Sequence, residues 1–218
     1  MLLTDATTEA GAESAELRER GVIVVPPGVS SVTANGNTVI VRLFDHRTTD
    51  LLEKATNSES YAVPHPNVAP LVPWPAPNDG DRLRVYNVDQ IPAEPDALGV
   101  SSAPPPSWST SSTCRRGPRD PDKLSPHHHD DFEQCWLPWR GHTSTTSAPR
   151  GRPSEASDAT TSTSWSAALG GDHPPPTVHT SEAIAPGRNQ LTDIFCPPRE
   201  DFSMKEGWVL NAAECPMP

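Results

Sequence analysis

Apolar residues in this chain come in short runs cut off by proline, glycine or asparagine, and this limits its architecture more than any other feature. Residues 21–25, GVIVV, read as a strand and stop at Pro26 and Pro27. VTANGNTVIVRLF follows, a hairpin signature in which Asn35 and Gly36 would supply the positive φ angles of a type I′ turn. After the proline-punctuated loop VPHPNVAPLVPWPAPNDGD, the run RLRVYNV alternates like a half-buried strand, and NQLTDIF near the C-terminus is a further strand. Short strands separated by such turns point to an all-β sandwich or barrel. The first 20 residues are expected to form a loose or weakly helical, flexible segment ahead of a folded region over residues 21–218.

The chain's 218 residues suffice for one domain with a sizeable core, or two small ones. Only 34% of them are hydrophobic and 27 are proline, against roughly 45 to 50% apolar residues in typical globular chains. Some part should therefore fold poorly. The net charge of −11 repels phosphate backbones and anionic lipid, which argues against nucleic acid and membrane as partners. The start, MLLTDATTEAG, has no basic region followed by a long apolar one, and no run approaches the length of a membrane span. A soluble cytoplasmic protein is expected. Cys114, Cys135, Cys196 and Cys215 show neither CxxC spacing nor a dense framework, so no zinc ribbon or disulfide scaffold is indicated.

The densest chemistry lies in SPHHHDDFEQCW, residues 125–136. On one continuous strand His127, His129 and Glu133 share a face, so their ligand atoms can converge. His128 and Asp130 would then point away, with Asp131 on the site face as a supporting group. HHHDD is also what a solvated loop that binds metal only incidentally looks like. His65 and His173 have no partner pattern and read as loop residues, and no GxSxG elbow supports a hydrolase triad. Three imidazoles and a carboxylate suit Fe, Mn, Ni or Zn as divalent ions and leave coordination positions open.

His127, His129 and Glu133 at this spacing, Gly141 beyond them, and a further histidine after a proline turn in PPPTVHT, His179, resemble the two motifs of the cupin superfamily over roughly residues 81–200. Gly141 lies about a residue later than the first motif places its glycine. Pro176 stands where the second motif has glycine, and Ala183 where it has Asn. The resemblance implies a single jelly-roll β-barrel, a divalent transition metal held by His127, His129, Glu133 and His179, and pairing into a homodimer through sheet edges. It further implies a small-molecule ligand or substrate, with dioxygenase or isomerase chemistry as the leading class and a non-catalytic metabolite-binding cupin as the rival.

Residues 101–114 and 136–171 have another character, dominated by Ser, Thr, Pro, Ala, Gly and Arg. Such a composition reads as disordered linker, because it buries too little apolar surface to offset chain entropy. Reading the gene one frame over offers a sharper account. With suitable codons SSAPPPSWSTSSTC becomes VRTSTLVVNLFDLP, WLPWRG becomes LALEGP, residues 143–147 become YVHHL, and the other frame turns residues around 170–173 into VVTIP. These recoveries of sheet-like sequence suggest compensating frameshifts, with C tracts under Pro104 to Pro106 and Pro174 to Pro176 as slip sites, and the nucleotide sequence decides the matter. On this reading the barrel is partly disrupted and the chain is an inactive frameshifted product. Both stretches should be loop-like, Trp108, Trp136, Trp139 and Trp165 should have no core role, and the strand delivering His179 should be damaged, leaving the metal site incomplete.

Overall fold

The computed structural model of the protein describes residues 2–44, 48–72, 74–90, 100–102, 109–141, 143–148, 170–206 and 211–216. Its strands are β1 (Leu2–Ala10), β2 (Glu13–Val24), β3 (Ser30–Ala34), β4 (Arg84–Asn87), β5 (Val100–Ser102), β6 (Ser109–Arg116), β7 (Glu133–Arg140), β8 (Thr143–Ala148), β9 (Gly170–His173), β10 (Val178–Ala183) and β11 (Arg188–Cys196). The α-helices among the described residues, Thr49–Leu52 and Glu200–Ser203, are single turns, and none is long and apolar enough to cross a membrane. The protein is all-β, as its punctuated apolar runs predict. Three antiparallel sheets, ordered β3-β1-β2-β4, β5-β6-β11-β7-β9 and β10-β8, remain open rather than closing on themselves, compatible with a partly disrupted sandwich.

The first sheet begins where a loose segment was expected. β1 and β2 pair along most of their length, with Gly11 at φ 59 in the connecting turn. Alternate β1 residues Ala6, Thr8 and Ala10 are buried. A period of two built from small residues is a sheet pattern that escapes notice because it lacks large aliphatics. Residues 21–24 of the GVIVV run close β2 and are buried on both faces. Val22 packs with Val88, Leu137, Trp139 and Ile194 in the core between the first and second sheets, while Ile23 packs with Ala6 and Leu17 on the opposite side. Burial on both faces explains why this run is continuous rather than alternating.

The expected hairpin at Asn35 and Gly36 does not form. β3 pairs backwards with β1, and neither Asn35 nor Gly36 adopts a positive φ. Asn35 instead clasps the bulge at Asp5 in β1, its backbone N–H donating to Asp5 O at 3.0 Å and its side-chain amide to the Asp5 carboxylate at 3.3 Å. A local turn signal has lost to a longer-range pairing.

The stretches read as unstructured also differ from expectation wherever they are described. Residues 109–116 and 143–148 are the strands β6 and β8, and residues 133–140 form β7, in which Trp136, Leu137 and Trp139 are all buried. Trp136 retains 1% of its surface, and Trp139 Nε1 donates to Thr192 Oγ1 at 2.6 Å. Large aromatics at inward positions of a paired strand are core by their area alone, so the loop-like reading of this segment is withdrawn. Trp108 and Trp165 lie outside the described residues.

Candidate metal centre

The second sheet's register sorts β7 into two faces. Cys135, Leu137 and Trp139 look toward the first sheet, so Gln134 and Trp136 look the other way. Gln134 lies opposite Phe195, and Trp136 opposite Asp193, on β11. On this second face the histidines gather.

Residues 117–131 deliver two of them. Asp120 caps a short turn, its carboxylate accepting from Asp122 N at 3.1 Å. Arg119 then ties the segment to β10. Its backbone N–H donates to Ala183 O at 2.6 Å, and its guanidinium donates to Ser181 O at 2.9 Å, Lys123 O at 3.2 Å and Ser125 Oγ at 3.0 Å. Drawn alongside β10, His127 forms an isolated antiparallel bridge with His179, with N···O distances of 3.0 and 2.8 Å. β10 is itself paired with β8. His179 is thus delivered by an intact strand, and the expectation of a site incomplete for want of it is overturned.

His127, His129 and His179 each offer a ring nitrogen, and these atoms all lie within 4.8 Å of one another. Donors sharing one ion at about 2.0 to 2.1 Å lie roughly 3.0 to 3.4 Å apart. Closing the widest gap takes on the order of 1.5 Å of side-chain rotation, so the set fits one ion after a modest contraction. The three environments are graded, His127 exposed, His129 half-buried and His179 buried. His127 Nδ1 lies 2.9 Å from Ser125 O, and His179 Nδ1 lies 3.0 Å from Thr177 O. A carbonyl only accepts, so both Nδ1 atoms carry protons, the arrangement that orients an imidazole to ligate through Nε2.

His129 stacks on Phe132 with centroids 4.1 Å apart and meets Phe195 edge-on at 6.4 Å. Burial against this apolar wall holds its pKa down at about 4 from the usual 6.5; the nearby His127 and Arg199 push the same way, while the Gln134 hydrogen bond opposes. The ring is therefore neutral at neutral pH. Beneath it, burial lifts the Asp193 carboxyl from 3.8 to about 7, against the pull of the Gln134 amide.

Glu133 does not join the histidine group. The chain bends at Asp130 and Asp131 before β7 starts, so the parity that would align residue 133 with 127 and 129 breaks there. Gln134 takes the position instead: its Oε1 lies 2.6 Å from His129 Nε2 and 3.2 Å from His179 Nε2, and its Nε2 donates to Asp193 Oδ1 at 2.9 Å. Gly141, a residue late for Glu133, is in step with Gln134, and this offset is the signal that could have identified it. Gly141 has φ 78, and a Cβ there would come within 2.9 Å of Arg188 O and collide with the Asn189 side chain. Arg119 was also missed, since nothing in its local sequence marks it. His128 pairs outward with Asp130 at 3.3 Å, as expected. Asp131 is exposed, its backbone carbonyl accepting from Ala69 N at 2.8 Å. His65 is a loop residue whose Nδ1 accepts from Asn67 N. His173 lies in β9, not in a loop.

No protein-family model matches this chain, and no curated protein matches it. The functional reading rests on the geometry of the site.

Proposed function

We propose that the protein is a cupin-like metal-binding protein that holds one divalent transition metal, Fe, Mn, Ni or Zn, through His127, His129 and His179. In this reading it acts on a small organic molecule as a dioxygenase or isomerase. The observation that carries it is the convergence of three imidazole nitrogens from two separate chain segments, two of them with Nδ1 anchored to backbone carbonyls. A metal bound there supplies Lewis-acid or redox chemistry at positions the protein leaves open. The residues around it divide the remaining work. Phe132 and Phe195 wall off the His129 side from water, the bridge between His127 and His179 fixes the spacing of the two segments, and exposed His127 marks the side from which a small molecule can enter.

Calorimetric titration of the metal-stripped protein with Mn(II) or Fe(II) tests the reading. One equivalent should bind, and His129→Ala or His179→Ala should abolish that binding. Oxygen uptake by the Fe(II)-loaded protein with small keto acids or ring hydroxy acids identifies the dioxygenase, and isomer interconversion by the Mn(II)-loaded protein identifies the isomerase. Tight metal binding without turnover of any candidate would favour the non-catalytic cupin, and binding indifferent to both substitutions would end the metal reading.

A further inference from the structure

We propose that Gln134 completes the proposed metal site as a neutral oxygen ligand in place of Glu133, and that the resulting uncharged ligand set selects a small anionic molecule, a carboxylate or enolate, as co-ligand. The inference rests on the metal reading of the three histidines. Glu133 and Gln134 are neighbours on β7, so their side chains leave opposite faces of the strand. Gln134 is the one aimed at the imidazoles, with Oε1 at 2.6 Å from His129 Nε2 and 3.2 Å from His179 Nε2. Two donors sharing one ion stand roughly 3.0 to 3.4 Å apart, so the amide oxygen is at ligand spacing from His179 Nε2 and must draw back by about 0.4 Å from His129 Nε2.

Gln134 Oε1 only accepts, so in the metal-free protein His129 Nε2 donates to it at 2.6 Å; a divalent ion entering between the amide and the imidazoles takes the place of that proton. Asp193 fixes which end of the amide faces the site. Its Oδ1 accepts from Gln134 Nε2 at 2.9 Å, which leaves the amide oxygen on the side of the histidines. Asp193 is a positioning residue and touches only the far end of the amide.

The ligand charge sets the class of co-ligand. Three neutral imidazoles and an amide leave the ion its full double positive charge, where a carboxylate at the same place would halve it. In a half-buried site that charge favours an anion over a neutral molecule at the open positions.

The experiment uses the full-length, metal-stripped protein with Co(II) as spectroscopic probe and oxalate as anionic probe. Glu133→Ala should bind Co(II) as wild type does. Gln134→Ala should bind it about 10 to 100-fold more weakly, the range for losing a group that supports a metal site. A swapped pair, Gln134→Glu with Asp193→Asn, keeps the donor and acceptor contact between the two side chains and so serves even if Gln134→Ala does not fold. It should bind Co(II) at least as tightly as wild type, while the oxalate-induced change in the Co(II) visible spectrum should require roughly tenfold more oxalate. Loss of Co(II) binding in Glu133→Ala, or unaltered oxalate affinity in the swapped pair, would overturn the inference. His179-dependent Co(II) binding indifferent to Gln134 would sink this inference alone, whereas Co(II) binding that His179→Ala does not weaken would overturn the metal reading beneath it.

Discussion

Replacing Asp193 with asparagine tests whether the buried pair beneath the site opposes itself in pH. In the metal-free protein the Asp193 carboxyl is raised from 3.8 to about 7. A raised carboxyl contributes stability that is complete below its unfolded pKa and is lost as pH climbs toward the folded one. Three pH units at 1.36 kcal/mol each give about 4 kcal/mol, which the residue's partial exposure trims to about 3. His129 runs the other way. Lowered from 6.5 to about 4, it contributes stability that is complete above its unfolded pKa and is lost as pH falls toward 4, again about 3 kcal/mol. The two slopes share a window and largely cancel. The substituted asparagine keeps an oxygen to accept from Gln134 Nε2 and does not ionise, so it removes one slope and leaves the other. Urea unfolding of wild type and Asp193→Asn from pH 4 to 7.5, with chelator present, isolates the effect, because every other titrating group cancels in the difference. That difference should shift by about 3 kcal/mol in the variant's favour between pH 4 and 7.5. A difference independent of pH would show that Asp193 is not held protonated, and the account of its burial would fail.

Three further outcomes follow from the packing. Gly141→Ala forces a side chain onto φ 78 against Asn189, whose amide donates to Gly117 O, Ala185 O and Gly187 O; urea unfolding should show a loss of about 2 kcal/mol or more. Trp139→Phe removes the donor to Thr192 Oγ1, whereas Trp136 Nε1 has no hydrogen-bond partner among the described residues; the first substitution should cost about 1 kcal/mol more than Trp136→Phe in the same assay. Arg119→Ala removes the guanidinium bonds to Ser181 O on β10 and to Ser125 Oγ, keeps the backbone bond to Ala183 O and touches no imidazole; calorimetry should show metal affinity falling roughly 10-fold or more.

Much of the fold was legible because burial on a sheet leaves plain marks. GVIVV, RLRVYNV and NQLTDIF all lie in or across strands, β2, β4 and β11. The β1–β2 hairpin was not legible, since the inward positions of β1 are Ala6, Thr8 and Ala10 and residues 11–20 of the turn and β2 offer Leu17 as their one large aliphatic, a composition equally suited to a helix. The Ser- and Thr-rich stretches misled for a related reason. Composition weighs apolar area, but Thr143 and Thr145 are buried on β8, where a β-branched side chain fits a pleated surface. At the candidate site, the HxH spacing and His179 were legible, and Gln134, whose amide oxygen faces the imidazoles, was not. Counting by twos from His129 presumes one unbroken strand, and the bends at Asp130 and Asp131 shift the count by one, from Glu133 to Gln134.

β7 also explains how a site can stand on a strand that is part of the core. Its Leu137 and Trp139 face hold the second sheet against the first, while its Gln134 and Trp136 face turns toward the histidines. Substituting Gln134 therefore perturbs a layer that the main core does not share. The other supports are less even. His179 is buried on a paired strand, and His129 is pinned between Phe132 and Gln134. His127 is exposed and is held to β10 by two backbone hydrogen bonds and by Arg119 further along the segment. A three-histidine site is only as preorganised as its loosest member, because an unordered ligand must give up rotamer and backbone freedom on binding. In the proposed metal site that member is His127, and the segment from Gly117 to Asp131, more than the imidazoles themselves, sets how tightly the three could close on an ion.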